Sequence, residues 1–265
     1  MENFKFKKAY GQNFLTDDNI IKNIVSQTEI EENSLVIEIG PGSGVLTKEL
    51  SKYAKEVLAY EIDERLEETL DINLKNCKNV NVIYDDFMHR DILSDIKEYE
   101  YSNIYVVANI PYYITTAILI KLIDSKIPFK KITIMIQKEV ADRFTAKPKS
   151  RDYGSITVFL NYYFDIYKLF DVKRECFVPK PNVDSTVISL IRKDNMIKVD
   201  NEELFIKFIH DAFQFKRKNL RNNLKNYDLE KILKVLEKYH LDLTNRAEEV
   251  PLEVFIDIVN SLLHH

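Results

Sequence analysis

From residue 34 onward, short apolar runs rich in β-branched residues alternate with amphipathic stretches. Ser34–Gly40 is an almost uninterrupted apolar run that ends in a glycine-rich turn, and a helical pattern follows it to about Ala54. The same alternation predicts further strands at Glu56–Asp63, Val80–Asp86, Asn103–Ile110 and Lys131–Gln137, with helices from Glu64 and over Thr115–Asp124. Strands that are apolar on both faces and separated by helices are typical of a parallel sheet covered on both sides. We therefore predict a doubly wound α/β fold with right-handed crossovers.

The pattern changes after Gln137. A helix over Lys138–Ala146 leads to a basic loop, and Tyr153–Tyr163 fits either a helix or a strand. Two further strands are predicted at Asp165–Val172 and Thr186–Lys193. Beyond about residue 195 only helical spacing remains, over Glu202–Gln214, Lys216–Asn223, Leu229–Tyr239 and Leu252–Leu263, with Asp228 as an N-cap and Pro251 near a helix start. We therefore predict an α/β domain over residues 1–195 and a small all-helical domain over residues 196–265.

The basic residues of the chain are unevenly distributed. The 265 residues carry a net charge of −4, which by itself does not indicate a nucleic-acid partner. Three basic clusters stand out, which are Lys5, Lys7 and Lys8; Lys147, Lys149 and Arg151; and Lys216, Arg217, Lys218 and Arg221. A single cluster of this kind usually lies on a solvated surface, whereas several around one site favour contacts with phosphates.

Two further features of the composition narrow the class of protein. Cys77 and Cys176 are the only cysteines and lack metal-type spacing, so we expect neither a disulfide framework nor a zinc site. No stretch reaches the ~20 apolar residues of a membrane helix, and the N-terminal segment carries charges where a signal peptide would be apolar. We therefore expect a cytoplasmic protein without a membrane partner.

Ligands of doubly wound folds bind beyond the carboxyl ends of the strands, so the residues that close each strand are informative. The first strand ends in Gly40-x-Gly42-x-Gly44, and Val45 takes the place of the last glycine of a dinucleotide-binding turn. Glu61 closes the second strand, where a carboxylate can accept ribose hydroxyls, and Asp86 follows the third, where it can accept from an adenine amine. Carboxylates suit the sulfonium and ammonium charges of S-adenosylmethionine better than the phosphates of NAD. The strand ends therefore favour S-adenosylmethionine.

The fourth strand ends in Asn109-Ile-Pro-Tyr112, which fits methyl transfer to an aromatic amine. The lone pair of such an amine is delocalised into the ring. The Asn109 side-chain oxygen and the Ile110 carbonyl could accept both amine hydrogens and draw the nitrogen toward a tetrahedral shape, while proline fixes the turn. Tyr112 offers a flat face for an unstacked base, and attack on the methyl then depends mainly on alignment. Phe177 could supply the opposite stacking face or be a core aromatic.

Four segments of the chain together resemble the ribosomal RNA adenine N6-dimethyltransferases. They are Lys8–Leu15, Glu38–Thr47, Asn109–Thr116 and Phe177–Ser185. Within that family the chain is most similar to the bacterial small-subunit branch, on account of Met135–Arg143, Tyr153–Ser155, Phe215–Asn223 and Arg246–Glu248. The family implies a Rossmann-like class I methyltransferase sheet followed by helices that bind rRNA.

The resemblance also implies a reaction and a site. The reaction is dimethylation at N6 of two adjacent adenosines in the 3′-terminal hairpin loop of small-subunit (16S) rRNA, within an immature 30S particle, by a protein that we expect to be a monomer. S-adenosyl-L-methionine, which leaves as S-adenosyl-L-homocysteine, would contact Asn13, Leu15, Gly40, Glu61, Asp86 and Asn109. The catalytic candidates are Asn109, Tyr112 and Phe177, and the RNA-binding candidates are Lys147, Lys149, Arg151, Lys216, Arg217, Lys218 and Arg221.

Four other functions remain as alternatives. A large-subunit rRNA methylase conferring macrolide resistance would use the same chemistry on a different rRNA. Such methylases share the core motifs but resemble this chain less in its last third. DNA adenine methylation is disfavoured by the lack of a recognisable base-reading domain. A non-catalytic ribosome assembly factor would not need the intact Gly40–Gly44 and Asn109–Tyr112 motifs. An NAD-linked dehydrogenase is disfavoured by the glycine spacing.

Overall fold

The computed structural model of the chain describes residues 13–110 and 114–264. The strands are β1 (Phe14–Leu15), β2 (Ser34–Ile39), β3 (Glu56–Glu61), β4 (Val80–Tyr84), β5 (Asn103–Asn109), β6 (Lys131–Gln137), β7 (Phe164–Val172), β8 (Phe177–Val178) and β9 (Ser185–Arg192). The helices are α1 (Asp18–Thr28), α2 (Val45–Leu50), α3 (Glu67–Leu74), α4 (Ile92–Ile96), α5 (Thr115–Asp124), α6 (Lys138–Phe144), α7 (Ser155–Tyr163), α8 (Glu202–Phe213), α9 (Leu220–Asn223), α10 (Leu229–Lys238) and α11 (Leu252–Leu263).

Seven strands form one sheet in the order β4-β3-β2-β5-β6-β9-β7. The neighbours from β4 to β6 are parallel, whereas β9 pairs with β6 in the antiparallel direction. The strand order reverses between β2 and β5, which is the switch point where ligands of such sheets bind. The prediction of a doubly wound α/β fold is confirmed, and the antiparallel strand β9 makes the sheet a mixed one.

The central strands form because their side chains are apolar on both faces and both faces are covered. Every residue of β2 is buried, and Leu35, Val36 and Ile37 have no exposed surface. The charged Glu38 in this strand is also buried, at 1% exposure. Burial of each large aliphatic side chain contributes roughly 1.5–3 kcal/mol, so this strand is a main source of the sheet's stability.

Two predictions of local structure are refined, and one strand pairing is new. The ambiguous segment 153–163 contains helix α7, which begins after Gly154, where the Gly154 N–H donates to the Thr157 hydroxyl at 3.1 Å. The helix predicted over 216–223 is limited to α9, because the Asn219 side chain caps it by accepting from the Asn222 N–H. The two-residue pairing of β1 with β8, which aligns Leu15 with Phe177, was not predicted.

The chain divides into two compact units that are discontinuous in sequence. The first comprises residues 1–141 and 167–192, and the second comprises residues 142–166 and 193–265. In the second unit Phe205, Phe208 and Phe255 are fully buried. The N-cap of α10 is Asp228, whose carboxylate accepts from two N–H groups of the first turn. The segment 142–166 thus groups with the C-terminal helices, and a division into continuous domains at residue 195 stays a prediction.

Within the described ranges, no helix is both long and apolar enough to cross a membrane.

Candidate active site at the carboxyl ends of the strands

The glycine turn after β2 has a backbone that only glycine adopts easily. Gly40, Gly42 and Gly44 all have positive φ, at +75°, +58° and +80°. A Cβ atom on Gly42 would lie 2.6 Å from Cε1 of Phe14, so a side chain there is excluded. A Cβ atom on Gly40 would have the Asn109 carbonyl oxygen as its nearest neighbour, at 4.0 Å. The turn therefore brings bare backbone close to the end of β5.

Glu61 connects this turn to the end of β3. Its carboxylate accepts from the Gly42 N–H at 3.0 Å and from the Asp63 N–H at 2.8 Å, and the residue is 4% exposed. Burial raises the pKa of Glu61, although the hydrogen bonds from these backbone N–H groups act in the opposite direction. The carboxylate thus holds the turn against β3 in a largely dry environment.

Asp86 lies in the segment after β4, which is held by several charged contacts. Its Oδ1 accepts from the Met88 N–H at 2.8 Å and begins a short 3₁₀ turn. Arg90 donates to both oxygens of Asp95, and the Lys121 ammonium donates to the Met88 and Arg90 carbonyls. These contacts fix the backbone on which Asp86 is presented beside β3.

Asn109 closes β5 and contacts the N-terminal segment. Its amide nitrogen donates to the Asn13 carbonyl at 3.0 Å, across 96 positions of sequence. This bond fixes the plane of the amide, so that Oδ1 is the acceptor that the side chain offers. Tyr112 lies outside the described residues, as do Lys5, Lys7 and Lys8 of the first basic cluster.

The other two candidates from the sequence are core residues. Leu15 is 6% exposed and Phe177 is 3% exposed, and both belong to the hydrophobic cluster under α1 and α2. The structure therefore brings Asn13, Gly40, Glu61 and Asn109 together through hydrogen bonds and close approach. It places Phe177 in the core, which was the second of the two interpretations of this residue.

Glu38 is a residue of this region that the sequence interpretation did not single out. It lies in β2 shortly before the glycine turn and is 1% exposed, and its Oε2 has no hydrogen-bond partner among the residues described. Burial, together with a smaller effect of the nearby charge of Glu61, raises the pKa of Glu38 to about 8. The signal in the sequence was a single charged residue inside an otherwise apolar strand.

The two remaining basic clusters lie in the second compact unit. All their side chains are exposed, and none makes an ion pair within the described part of the chain. Both clusters border the segment 242–249, since the Lys149 N–H donates to the Glu248 carbonyl at 2.7 Å and the Arg221 N–H donates to the Leu243 carbonyl at 3.0 Å. This unit therefore carries a surface with several free cations.

The chain is similar in sequence to curated proteins over most of its length. The chain is 41% identical to ribosomal RNA small subunit methyltransferase A of Bacillus mycoides, over 99% of this chain and 93% of that protein. It is 48% identical to the protein of the same name from Streptococcus thermophilus, over 84% of this chain and 78% of that protein.

Two solved structures are similar over almost the whole chain. A dimethyladenosine transferase from Plasmodium falciparum superposes with a TM-score of 0.78 at 25% identity, covering 92% of this chain and 95% of that one. The 23S rRNA methyltransferase ErmE superposes with a TM-score of 0.75 at 27% identity, covering 95% of this chain and 100% of that one. The family model described as ribosomal RNA adenine dimethylase matches residues 3–264. The chain therefore belongs to the ribosomal RNA adenine dimethylase family.

Proposed function

We propose that this methyltransferase dimethylates N6 of two adjacent adenosines in the 3′-terminal hairpin loop of small-subunit rRNA. The observation that carries the proposal is the amide of Asn109, which the Asn13 carbonyl orients at the end of β5 beside the glycine turn. The names of the relatives that share 41–48% identity with the chain support the small subunit as the address.

The residues around the turn fit S-adenosyl-L-methionine. The space between Gly40 and Asn109 would be narrowed by any side chain on Gly40, and the unpartnered oxygen of buried Glu38 is a suitable acceptor for a cation. Asn13, Leu15, Gly40, Glu61, Asp86 and Asn109 are the residues that would hold the cofactor. When bound, it supplies an electrophilic methyl group and leaves as S-adenosyl-L-homocysteine.

The chain's own groups then position the amine. In the first transfer Asn109 Oδ1 and the Ile110 carbonyl accept hydrogen bonds from the two N6 hydrogens, which draws the nitrogen toward a tetrahedral shape and aims its lone pair. In the second transfer one N6 hydrogen remains to donate such a bond. Each N-methylated ammonium then loses its proton to water. Tyr112 stacks against the base, which must leave its own stack to reach the site. A second stacking face from Phe177 would require its ring, which is 3% exposed, to leave the core, so Tyr112 is the stronger candidate.

The second compact unit is the proposed rRNA-binding part. Its exposed cations, Lys147, Lys149, Arg151, Lys216, Arg217, Lys218 and Arg221, would contact phosphates of the rRNA. The substrate would be an immature 30S particle in the cytoplasm, bound by one copy of the protein. Neither the charge of the whole chain nor its sheet requires such a surface, so it is best explained by a polyanionic partner.

The similarity to the 23S rRNA methyltransferase ErmE favours one alternative substrate, the 23S rRNA of the large subunit. Mass spectrometry of both rRNAs from a strain lacking this protein, before and after complementation, separates the two. We expect the dimethyladenosine pair to be missing from small-subunit rRNA and restored by the gene. Restoration only in large-subunit rRNA, together with macrolide resistance, would establish the other address.

The chemistry is tested by Asn109→Ala. Loss of the oriented acceptor should reduce methyl transfer to undermethylated small subunits by at least about 100-fold, the lower range for removing one preorganised polar group. Isothermal titration should still detect binding of S-adenosyl-L-methionine. The control is Asn81→Ala, which removes an exposed asparagine of β4 whose side chain donates to the Tyr99 hydroxyl in the segment after α4. Full activity of Asn109→Ala would contradict the mechanism.

A further inference from the structure

The turn between α8 and α9 presents an aromatic ring to solvent. Residues 214–218 are all exposed, and Phe215 has 56% of its surface exposed. No other phenylalanine in the described ranges is classed as exposed. The ring of Phe215 also makes no contact with another aromatic ring there, whereas the rings of Phe208, Phe213 and Phe255 pack together in the core of this unit.

The backbone of Phe215 is firmly held although its side chain is exposed. Its carbonyl accepts from the Lys218 N–H at 2.8 Å and from the Asn223 amide at 3.3 Å. The same amide donates to the Ala212 carbonyl at 2.7 Å, which ties the turn to the last residues of α8. Exposure of a large apolar side chain forgoes about 1.5–3 kcal/mol of burial, so folding gives no reason for a phenyl ring at this position.

The charges around the ring indicate the partner. Lys216, Arg217 and Lys218 follow Phe215 directly, are exposed, and form no ion pair with any residue that the structure describes. A protein interface needs a contiguous apolar patch, but here the neighbours are cations. An aromatic ring beside several free cations is the chemistry that binds single-stranded RNA, because bases stack on the ring while phosphates contact the cations.

We propose that Phe215 stacks on an unpaired base of the rRNA whose phosphates contact Lys216, Arg217 and Lys218. The proposal rests on the proposed function, since it concerns the same rRNA substrate. Stacking on Phe215 would be an uncharged contact with the rRNA, in addition to the ionic contacts of the neighbouring cations. It also separates docking from catalysis, because Phe215 acts on affinity for the particle and not on the reacting amine.

The test measures the affinity of the full chain for small-subunit particles from a strain that lacks it, over a range of salt concentrations. Phe215→Ala and Phe215→Leu should weaken binding about 5- to 100-fold, the loss of one stacked base, while Phe215→Trp keeps the affinity. The slope of log affinity against log salt should not change, because no cation is removed. The control is Ile206→Ala, at a residue that is 43% exposed on α8 of the same unit.

Three results would overturn the proposal. They are unchanged affinity of Phe215→Ala, equal affinity of Phe215→Leu and wild type, and a reduced salt slope in Phe215→Ala. Methyl transfer at saturating particle concentration distinguishes this proposal from the function itself. If wild type methylates the particles and Phe215→Ala binds them normally, only the stacking contact is wrong. If wild type neither binds nor methylates them, the proposed function has failed.

Discussion

Glu38 is a buried carboxyl whose ionisation is unfavourable in the folded chain and would be favoured by a bound cation. A carboxyl at 1% exposure, with one oxygen that has no partner among the described residues, is costly to ionise, and this burial raises its pKa to about 8. The proton is therefore held more tightly in the folded chain than in the unfolded chain, where the ordinary value is 4.5. A bound cation beside this carboxyl would favour its ionised form, which links cofactor binding to loss of that proton.

The difference in the pKa of Glu38 between the folded and the unfolded chain predicts how the free energy of unfolding depends on pH. Between pH 4.5 and about 8 the folded chain binds one more proton at Glu38 than the unfolded chain, so its stability falls as the pH rises. Glu38→Gln removes this contribution. The free energy of unfolding of wild type should therefore fall relative to the variant by up to about 1.4 kcal/mol per pH unit across this window.

Urea denaturation without cofactor at several pH values measures the difference. The exposed Glu32→Gln is the control and should follow wild type. A constant difference between Glu38→Gln and wild type across the window would show that Glu38 does not titrate there.

At the scale of elements, the glycine turn joins three strand ends. Gly42 donates to Glu61 at the end of β3, the ring of Phe14 covers Gly42, and Gly40 faces the end of β5. Of these contacts, the packing of the Phe14 ring on Gly42 is the one that leaves no room for a side chain. The parallel ladders set the positions of β2, β3 and β5, and the turn links the carboxyl ends of these strands at the site.

Gly42→Ala should therefore destabilise the chain and impair the site. Alanine at φ +58° is strained, and its Cβ atom would lie 2.6 Å from the Phe14 ring, so we expect a loss of about 1–3 kcal/mol of unfolding free energy. Cofactor affinity should fall as well, since Phe14 must move. Thermal unfolding and isothermal titration measure the two effects.

Gly154→Ala is the matched control. Gly154 has an extended backbone, and a Cβ atom there meets nothing within 4 Å, so its effect should stay within about 0.5 kcal/mol. Equal stability of the two alanine variants would contradict the assigned role of the turn.

At the scale of the whole molecule, attraction of a polyanion depends more on where the charges lie than on the net charge. The net charge of −4 coexists with a second compact unit in which the exposed cations of the two basic clusters form no ion pair within the described ranges. Local fields of this kind steer a polyanion even when the total charge is negative.

Replacing Lys216, Arg217 and Lys218 together by alanine should weaken binding to small-subunit particles. The slope of log affinity against log salt should decrease by about 0.7–0.9 for each phosphate contact removed. Lys234→Ala with Lys238→Ala is the control, because these lysines are exposed on α10 of the same unit, away from the cluster. Fluorescence anisotropy with labelled protein gives both affinities, and the same change of slope in both variants would refute a specific surface.

Much of the fold and part of the site could be predicted from the sequence. The β-branched runs, Asp228 and the glycine spacing report on local backbone states, and β2, α10 and the turn at Gly40 formed where they were expected. The segment Asn109–Tyr112 predicted methyl transfer to an aromatic amine, and the family to which the chain belongs is consistent with that prediction. These signals are local, since burial pattern, capping and φ preference act within a few residues.

Only the tertiary structure decided which distant segments meet. The sequence by itself determined the alternation of strands and helices, the glycine turn and the motif that begins at Asn109. It did not show that Asn13 orients Asn109, that Phe177 pairs with Leu15 inside the core, or that residues 142–166 group with the C-terminal helices. The physical reason is that an aromatic side chain has the same local pattern whether it is covered or free, and its burial depends on which face of another segment covers it.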